Sequence, residues 1–255
     1  MKTFIFDLDG TMYRGNAIID SAKVYLDYCI QQNIPFIFLT NNAMRTRQEI
    51  AKHMLDMGYE GINPSMFYNS AMASVQYVKD HYKERKVYYI GCDGLKEALV
   101  EEGFIFDDQH PDFVFVGLQK DIDYNGYSKA LSYLLNGAKL IGTNKDRILA
   151  KPSGFELGNG AIISMFEYAS KQISPDIAKP SCVILEYCCK YFDLNYEDIV
   201  LIGDNLETDI KLGFNLSIKT VFVQTGIHTK SDIDSLKIYP DVIVDELSDL
   251  IGVDL

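Results

Sequence analysis

The stretch FIFDLDGT, residues 4–11, sets two carboxylates, Asp7 and Asp9, directly behind an apolar run. Phe4 to Phe6 read as a buried strand, and Asp9-Gly10 as the turn that closes it. Taken alone, the acids are an ordinary strand end. They gain a role only if other strands of the same sheet also end in polar residues.

Outward from this stretch, DSAKVYLDYCIQQN carries apolar residues at helical spacing and IPFIFLTNN reads as a second buried strand, giving a β-α-β unit. Arg45 to Met57 repeats the helical pattern and stops at Gly58. Near the other end, DIVLIGD, ETDIKLGFN, IKTVFV and DVIV alternate strand, helix, strand and strand-like run. This alternation implies a parallel sheet with crossover helices. Between these halves lies a second alternation: VYYIG, GLKEALVEEG, FVFVG, YSKALSYLLNG, LIGTN and GAIISMFEYASK. The predicted fold class is therefore α/β. A parallel-sheet, Rossmann-like core of residues 1–72 and 179–255 is interrupted by an inserted α/β domain of residues 73–178. A chain of 255 residues has room for both cores.

Hydrophobic residues make up 47% of the chain, and its formal net charge is −12. That balance excludes a general nucleic-acid binder, which needs a basic face to neutralise phosphates. The apolar N-terminal run is cut by Asp7 and Asp9, and no apolar stretch approaches the ~20 residues of a membrane span. A cytoplasmic protein without membrane or nucleic-acid partners is expected, with a homodimer left open. Cys29, Cys92, Cys182, Cys188 and Cys189 show no C-x-x-C spacing, and three of them share one apolar helical pattern. They are predicted to be buried, reduced thiols.

In open parallel sheets, residues that end separate strands converge beyond the carboxyl edge. Three polar strand ends qualify: Asp7 to Thr11; Thr40-Asn41-Asn42; and Gly203-Asp204-Asn205 with Glu207 and Asp209 behind it. Lys179, in IAKPS, precedes the helix that leads into the last of these strands. Unit charges ~4 Å apart repel by ~4 kcal/mol at an effective dielectric near 20, so clustered acids need compensation. Lys179 and a bound cation would supply it. Oxygen ligands without His or Cys select a hard ion, and magnesium is the expected cofactor. Backbone N–H groups around Leu8 to Gly10 and at Asn41 and Asn42, with the Thr40 hydroxyl, would cradle a phosphoryl group. Asp7 would attack phosphorus, and Asp9 would protonate the leaving oxygen and then activate water. Gly10 permits the tight turn that presents both acids.

DLDGT, FLTNN, the lysine of AKPS and GDNLETD together resemble the four motifs of the haloacid dehalogenase superfamily, most of whose members are phosphatases. TNN, a large insertion after the second motif, and LIGTNKDR are similar to the NagD-like, p-nitrophenylphosphatase-like branch. The resemblance spans nearly the whole chain. It implies Asp7 as nucleophile and metal ligand, Asp9 as acid/base lending its carbonyl to the metal, and Asp204 as the remaining carboxylate ligand. Asn205 and Asp209 would support them. One departure is Ala178, where this branch usually has glycine. The stretch GNG at Gly158 to Gly160 lacks the lysine of a phosphate loop and reads as a helix entrance.

The insertion resembles the large caps that roof the phosphate site in this branch. The predicted function is thus a magnesium-dependent phosphatase of small phosphomonoesters through an aspartyl-phosphate. Sugar phosphates or nucleotide monophosphates would be natural substrates, and p-nitrophenyl phosphate a generic one. Within the insertion, Asn144, Lys145, Asp146 and Arg147 come directly after a strand; Asn144 and Arg147 are candidate substrate contacts, and a solvated turn is the alternative. A phosphotransferase or mutase would use the same Asp7 chemistry. A phosphoacceptor signalling module would be about half this length and would pair adjacent acids, and a metabolite sensor would not need the intact acid and lysine set.

Overall fold

The protein, seen here as a computed structural model, is described over residues 2–151 and 154–255. It is a mixed α/β chain that divides into two compact units. The first comprises Met1–Thr40, Arg47–Tyr68 and Lys179–Leu255, and the second Asn41–Thr46 and Asn69–Ala178.

The first unit is built on a six-stranded sheet. Its spatial order is Val242–Val244, Lys219–Val223, Ile199–Gly203, Thr3–Phe6, Phe36–Thr40 and Phe67–Asn69. The first five pair in parallel, with Phe4 opposite both Val200 and Phe36. All four residues of Thr3–Phe6 and all five of Ile199–Gly203 are buried, as expected of central parallel strands covered on both faces. From Thr3–Phe6 the chain winds first toward Phe36–Thr40 and later returns to Ile199–Gly203 on the other side. The crevice where winding reverses therefore lies between Asp7 and Asp204, the residues directly after these two strands.

Helix Asp20–Gln31 buries Ala22, Tyr25, Leu26 and Cys29, a stripe at i, i+3, i+4 and i+7. That stripe packs with Phe4, Phe6, Phe38, Met54 and Val200 in the main core. Helix Cys182–Phe192 starts behind Ser181, whose side chain accepts from Val183 N, and stops at Asp193 in the left-handed region. None of the five cysteines is in a disulfide. Cys29, Cys188 and Cys189 are buried as predicted, but Cys182, at the solvent side of the first turn of its helix, is exposed and Cys92 half-buried.

The second unit holds a four-stranded parallel sheet in the order Ile105–Phe106, Lys86–Ile90, Phe113–Val116 and Lys139–Gly142. Helices Tyr124–Leu135 and Asn159–Ser170 cover one face through Ala130, Leu134, Ile163 and Phe166. The division between the units falls between Tyr68 and Asn69, ahead of the predicted 72/73. Asn69 already belongs to the second unit, because its side chain caps helix Ser70–His81 by accepting from Met72 N.

An antiparallel hairpin, Ile148–Lys151 with Gly154–Leu157, was not expected. The sequence offers no sign of it. Ile148 is exposed and so is every residue of Gly154–Leu157, so the second strand lacks the buried alternate face that makes a strand legible. No helix among the described residues is long and apolar enough to cross a membrane.

Candidate active site

Asp7 continues the strand Thr3–Phe6, and its N–H still donates to Ile202 O at 2.9 Å, which fixes the carboxylate at the sheet's carboxyl edge. Beyond it Leu8 is buried and Asp9 exposed. Gly10, at φ +101°, turns the chain back so that its own N–H reaches Tyr13 O at 2.7 Å. A Cβ on Gly10 would lie 2.4 Å from Asp204 Oδ2, so only glycine fits between the turn and that acid. The Asp9 side chain is exposed and, among the described residues, accepts one long contact, from Gly15 N at 3.4 Å.

Lys179, joined to Pro180 by a cis peptide, buries its ammonium in the crevice. Its Nζ donates to Asp7 Oδ1 at 2.6 Å, to Asp209 Oδ1 at 2.7 Å and to Leu39 O at 2.9 Å. Asp209 reaches it from one π-helical turn, Leu206–Ile210, in which Ile210 N bonds Asn205 O five residues back. Asp209 Oδ2 in turn accepts from Asn205 N at 3.2 Å, and the Asn205 side chain caps the turn by accepting from Glu207 N. Both oxygens of Asp209 are thus engaged within the protein.

Asp204 is 1% exposed. Thr11 Oγ1 donates to its Oδ1 at 3.0 Å and Ile227 N to its Oδ2 at 2.9 Å. Carboxylate oxygens of Asp7, Asp204 and Asp209 lie within 4.8 Å of one another. Burial pushes all three upward from the carboxylate range, Asp209 to about 6 even with Lys179 beside it, and Asp204 furthest, with Asp7 and Asp209 adding to the effect. Burial alone would lower Lys179, but Asp209 and Asp7 hold its ammonium above its ordinary range. With all three carboxylates ionised, the single ammonium, paired with Asp7 and Asp209, would leave two negative charges in excess. All the donors are oxygens, and the set fits a hard divalent cation, which would reverse the upward drift of the acids.

The structure brings Asp7, Asp204, Asp209 and Lys179 together, and places Thr40, 4% exposed, at the end of the neighbouring strand. The cluster takes Asp209's carboxylate into its centre, whereas that of Asp9 lies outside it. Asn41 and Asn42 come next after Thr40. Within the second unit, Asn41 O accepts from Ser70 Oγ at 2.6 Å and Asn144 Nδ2 at 2.9 Å, and Asn41 Nδ2 donates to Asp146 Oδ1 at 3.1 Å. Asn42 is exposed, and its side chain accepts from Met44 N at 2.9 Å.

Of the four polar residues after strand Lys139–Gly142, Asn144 is therefore a buried support for Asn41. Lys145 turns to Ser174 O at 2.9 Å, with Glu167 and Asp176 nearby, and Arg147 is exposed. The GNG stretch is a helix entrance whose N–H groups are already used: Gly160 N donates to Asp146 O at 2.8 Å and Gly158 N to Arg147 O at 3.0 Å. No phosphate loop is formed there.

Sequence reasoning missed the segment Thr225 to His228. It supplies Ile227 N to Asp204, and His228 Nδ1 accepts from Leu206 N at 3.2 Å. Gly226 was the one available signal, since a Cβ there would lie 1.7 Å from Asp204 Oδ2.

Residues 4–105 match the family model of haloacid dehalogenase-like hydrolases, and residues 176–250 that described as HAD-hydrolase-like. The chain is 36% identical over 251 residues to the acid sugar phosphatase of Staphylococcus saprophyticus, covering 98% of this chain and 96% of that one. Among solved structures, the double mutant of the thermostable NPPase from Geobacillus stearothermophilus superposes with a TM-score of 0.89 at 33% identity, over 98% of both chains. NagD from E. coli K-12 does so with a TM-score of 0.88 at 31% identity, over 97% of both.

Proposed function

This chain belongs to the haloacid dehalogenase-like hydrolases and is a phosphomonoester hydrolase acting on small phosphoesters, and we propose that it is a magnesium-dependent sugar phosphatase working through phosphorylated Asp7. The observation that carries this reading is the buried cluster of Asp7, Asp204 and Asp209 around a single ammonium. Asp7, Asp204 and the Asp9 carbonyl would hold magnesium, which when bound offsets the residual charge and polarises the phosphoryl oxygens.

Lys179 takes Asp7 Oδ1, which leaves Oδ2 as the attacking oxygen. Asp7 Oδ2 attacks phosphorus, the ester P–O bond breaks, and Asp9 gives its proton to the departing alkoxide. Asp9 then takes a proton from water as that water attacks the aspartyl-phosphate, the Asp7–phosphorus bond breaks, and inorganic phosphate leaves. Asn205 and Asp209 keep Lys179 and the acid loop in place. Thr40, Asn41 and Asn42 would hold the phosphoryl oxygens through backbone N–H groups and the Thr40 hydroxyl, whereas Gly10, expected to join them, has its N–H bonded to Tyr13 O and would serve only by its turn.

The inserted unit, expected at residues 73–178 and beginning at Asn69 in the structure, would select the substrate while the core carries the chemistry, and exposed Arg147 is its candidate substrate contact. Sugar phosphates are favoured because the curated relative at 36% identity bears the name acid sugar phosphatase. Five cysteines outside any disulfide suit a reducing, cytoplasmic setting.

The test is release of free phosphate from a panel of sugar phosphates, nucleotide monophosphates, phosphopeptides and p-nitrophenyl phosphate. Turnover of sugar phosphates that stops with excess chelator, returns with magnesium and returns poorly with calcium supports the reading. Full activity in chelator, or transfer of phosphate to an added sugar in place of its release, overturns it.

A further inference from the structure

The Asp204 carboxylate is held from two sides by segments far apart in sequence. Thr11 Oγ1 donates to Oδ1 at 3.0 Å, and Ile227 N–H donates to Oδ2 at 2.9 Å. These segments are tied to one another by Thr225, whose Oγ1 donates to Gly10 O at 2.7 Å. The result is a closed ring: Asp204 Oδ1, Thr11, the Gly10 carbonyl, the Thr225 hydroxyl, Gly226, the Ile227 N–H and Asp204 Oδ2. Arg14 Nε adds a strut by donating to Thr225 O at 2.6 Å. Gly226 lies so close to Asp204 that any Cβ would collide with the carboxylate, so the ring has no slack on that side.

We propose that Thr225 is a positioning residue, whose hydroxyl closes this ring and so fixes the plane in which Asp204 presents its oxygens to a divalent cation. The proposal rests on the reading of Asp204 as a metal ligand. Its physical basis is that groups orienting a ligating carboxylate share in its affinity, typically by about 10- to 100-fold on removal. Without the Thr225 hydroxyl the Gly10 carbonyl loses its donor, and the Thr11 and Ile227 donors are no longer held in one frame. A role confined to satisfying the Gly10 carbonyl would affect stability alone.

Calorimetric titration of the full chain with magnesium separates these roles, with thermal unfolding in chelator as the check on folding. Thr225→Val is expected to weaken magnesium binding about 10-fold, while Thr225→Ser, which keeps the hydroxyl, stays near the wild-type value. Wild-type affinity in Thr225→Val alongside lost binding in Asp204→Asn overturns the proposal. So does a Thr225→Ser variant as weak as Thr225→Val, which would assign the effect to packing of the methyl group. If Asp204→Asn binds magnesium like the wild type, the ligand reading itself fails and the proposal falls with it. Should Thr225→Val not fold, Arg14→Met removes only the strut, and it is expected to weaken magnesium binding by a smaller factor, about 3-fold. Unchanged affinity in that variant then overturns the proposal.

Discussion

Asp7 and Asp9 stand two positions apart, yet their surroundings differ as their proposed tasks require. Asp7 is locked by Lys179, whereas Asp9 is exposed with one long contact and can track a leaving group. The division of labour predicts a leaving-group signature. Asp9→Asn should slow hydrolysis of an alkyl phosphate, which departs as a basic alkoxide, by about 10²-fold or more. It should slow p-nitrophenyl phosphate, whose leaving group needs little protonation, much less. Equal losses on both substrates would remove Asp9 from proton transfer. At this scale the sequence pointed to the charged residues that the structure gathers, because three acids and a lysine from separate elements have no cheap structural reason to meet. It hid Ile227, because that contact is made by a backbone N–H that every residue but proline possesses. It also left Asn144 ambiguous, since a buried amide and a substrate-reading one have the same spelling.

Among the elements, the loop after strand Lys139–Gly142 illustrates what periodicity leaves out. Its role is set by the two hydrogen bonds it makes to Asn41, and by helix Asn159–Ser170 behind it, where Asn159 Nδ2 donates to Asn144 O at 3.2 Å and Val116 O at 2.9 Å. Asn144→Ala should therefore act on the reaction through Asn41. It should raise KM for every phosphate ester by a similar factor, about 5- to 10-fold for a hydrogen bond of ~1–1.5 kcal/mol, without re-ranking substrates. A change in substrate ranking would return Asn144 to the role of substrate contact. The sheets themselves were legible, because central parallel strands are continuous apolar runs bounded by polar ends. The hairpin Ile148–Lys151 with Gly154–Leu157 was not, since Ile148, Phe155 and Leu157 are exposed and give no apolar alternation turned to a core.

For the whole molecule, a net charge of −12 sets a problem, because the substrate is an anion approaching an acidic chain. The answer is local. Lys179, the backbone N–H groups of the two strand-end loops and a divalent cation would concentrate positive potential in one crevice while the remaining surface stays acidic. Insertion of one α/β unit into another was legible from the two alternations in sequence. The joint at Tyr68 and Asn69 was not, because a capping side chain marks it and no change of composition does. The central claim is that the phosphoryl group passes through Asp7, and trapping it there is the most direct test. The protein is mixed with labelled p-nitrophenyl phosphate and magnesium, quenched in acid during turnover, digested and sequenced. The account predicts one label per chain, on Asp7, released by hydroxylamine as an acyl phosphate and absent from Asp7→Asn, which should also lose turnover. Undiminished turnover in Asp7→Asn, or a label on any other residue, would contradict it.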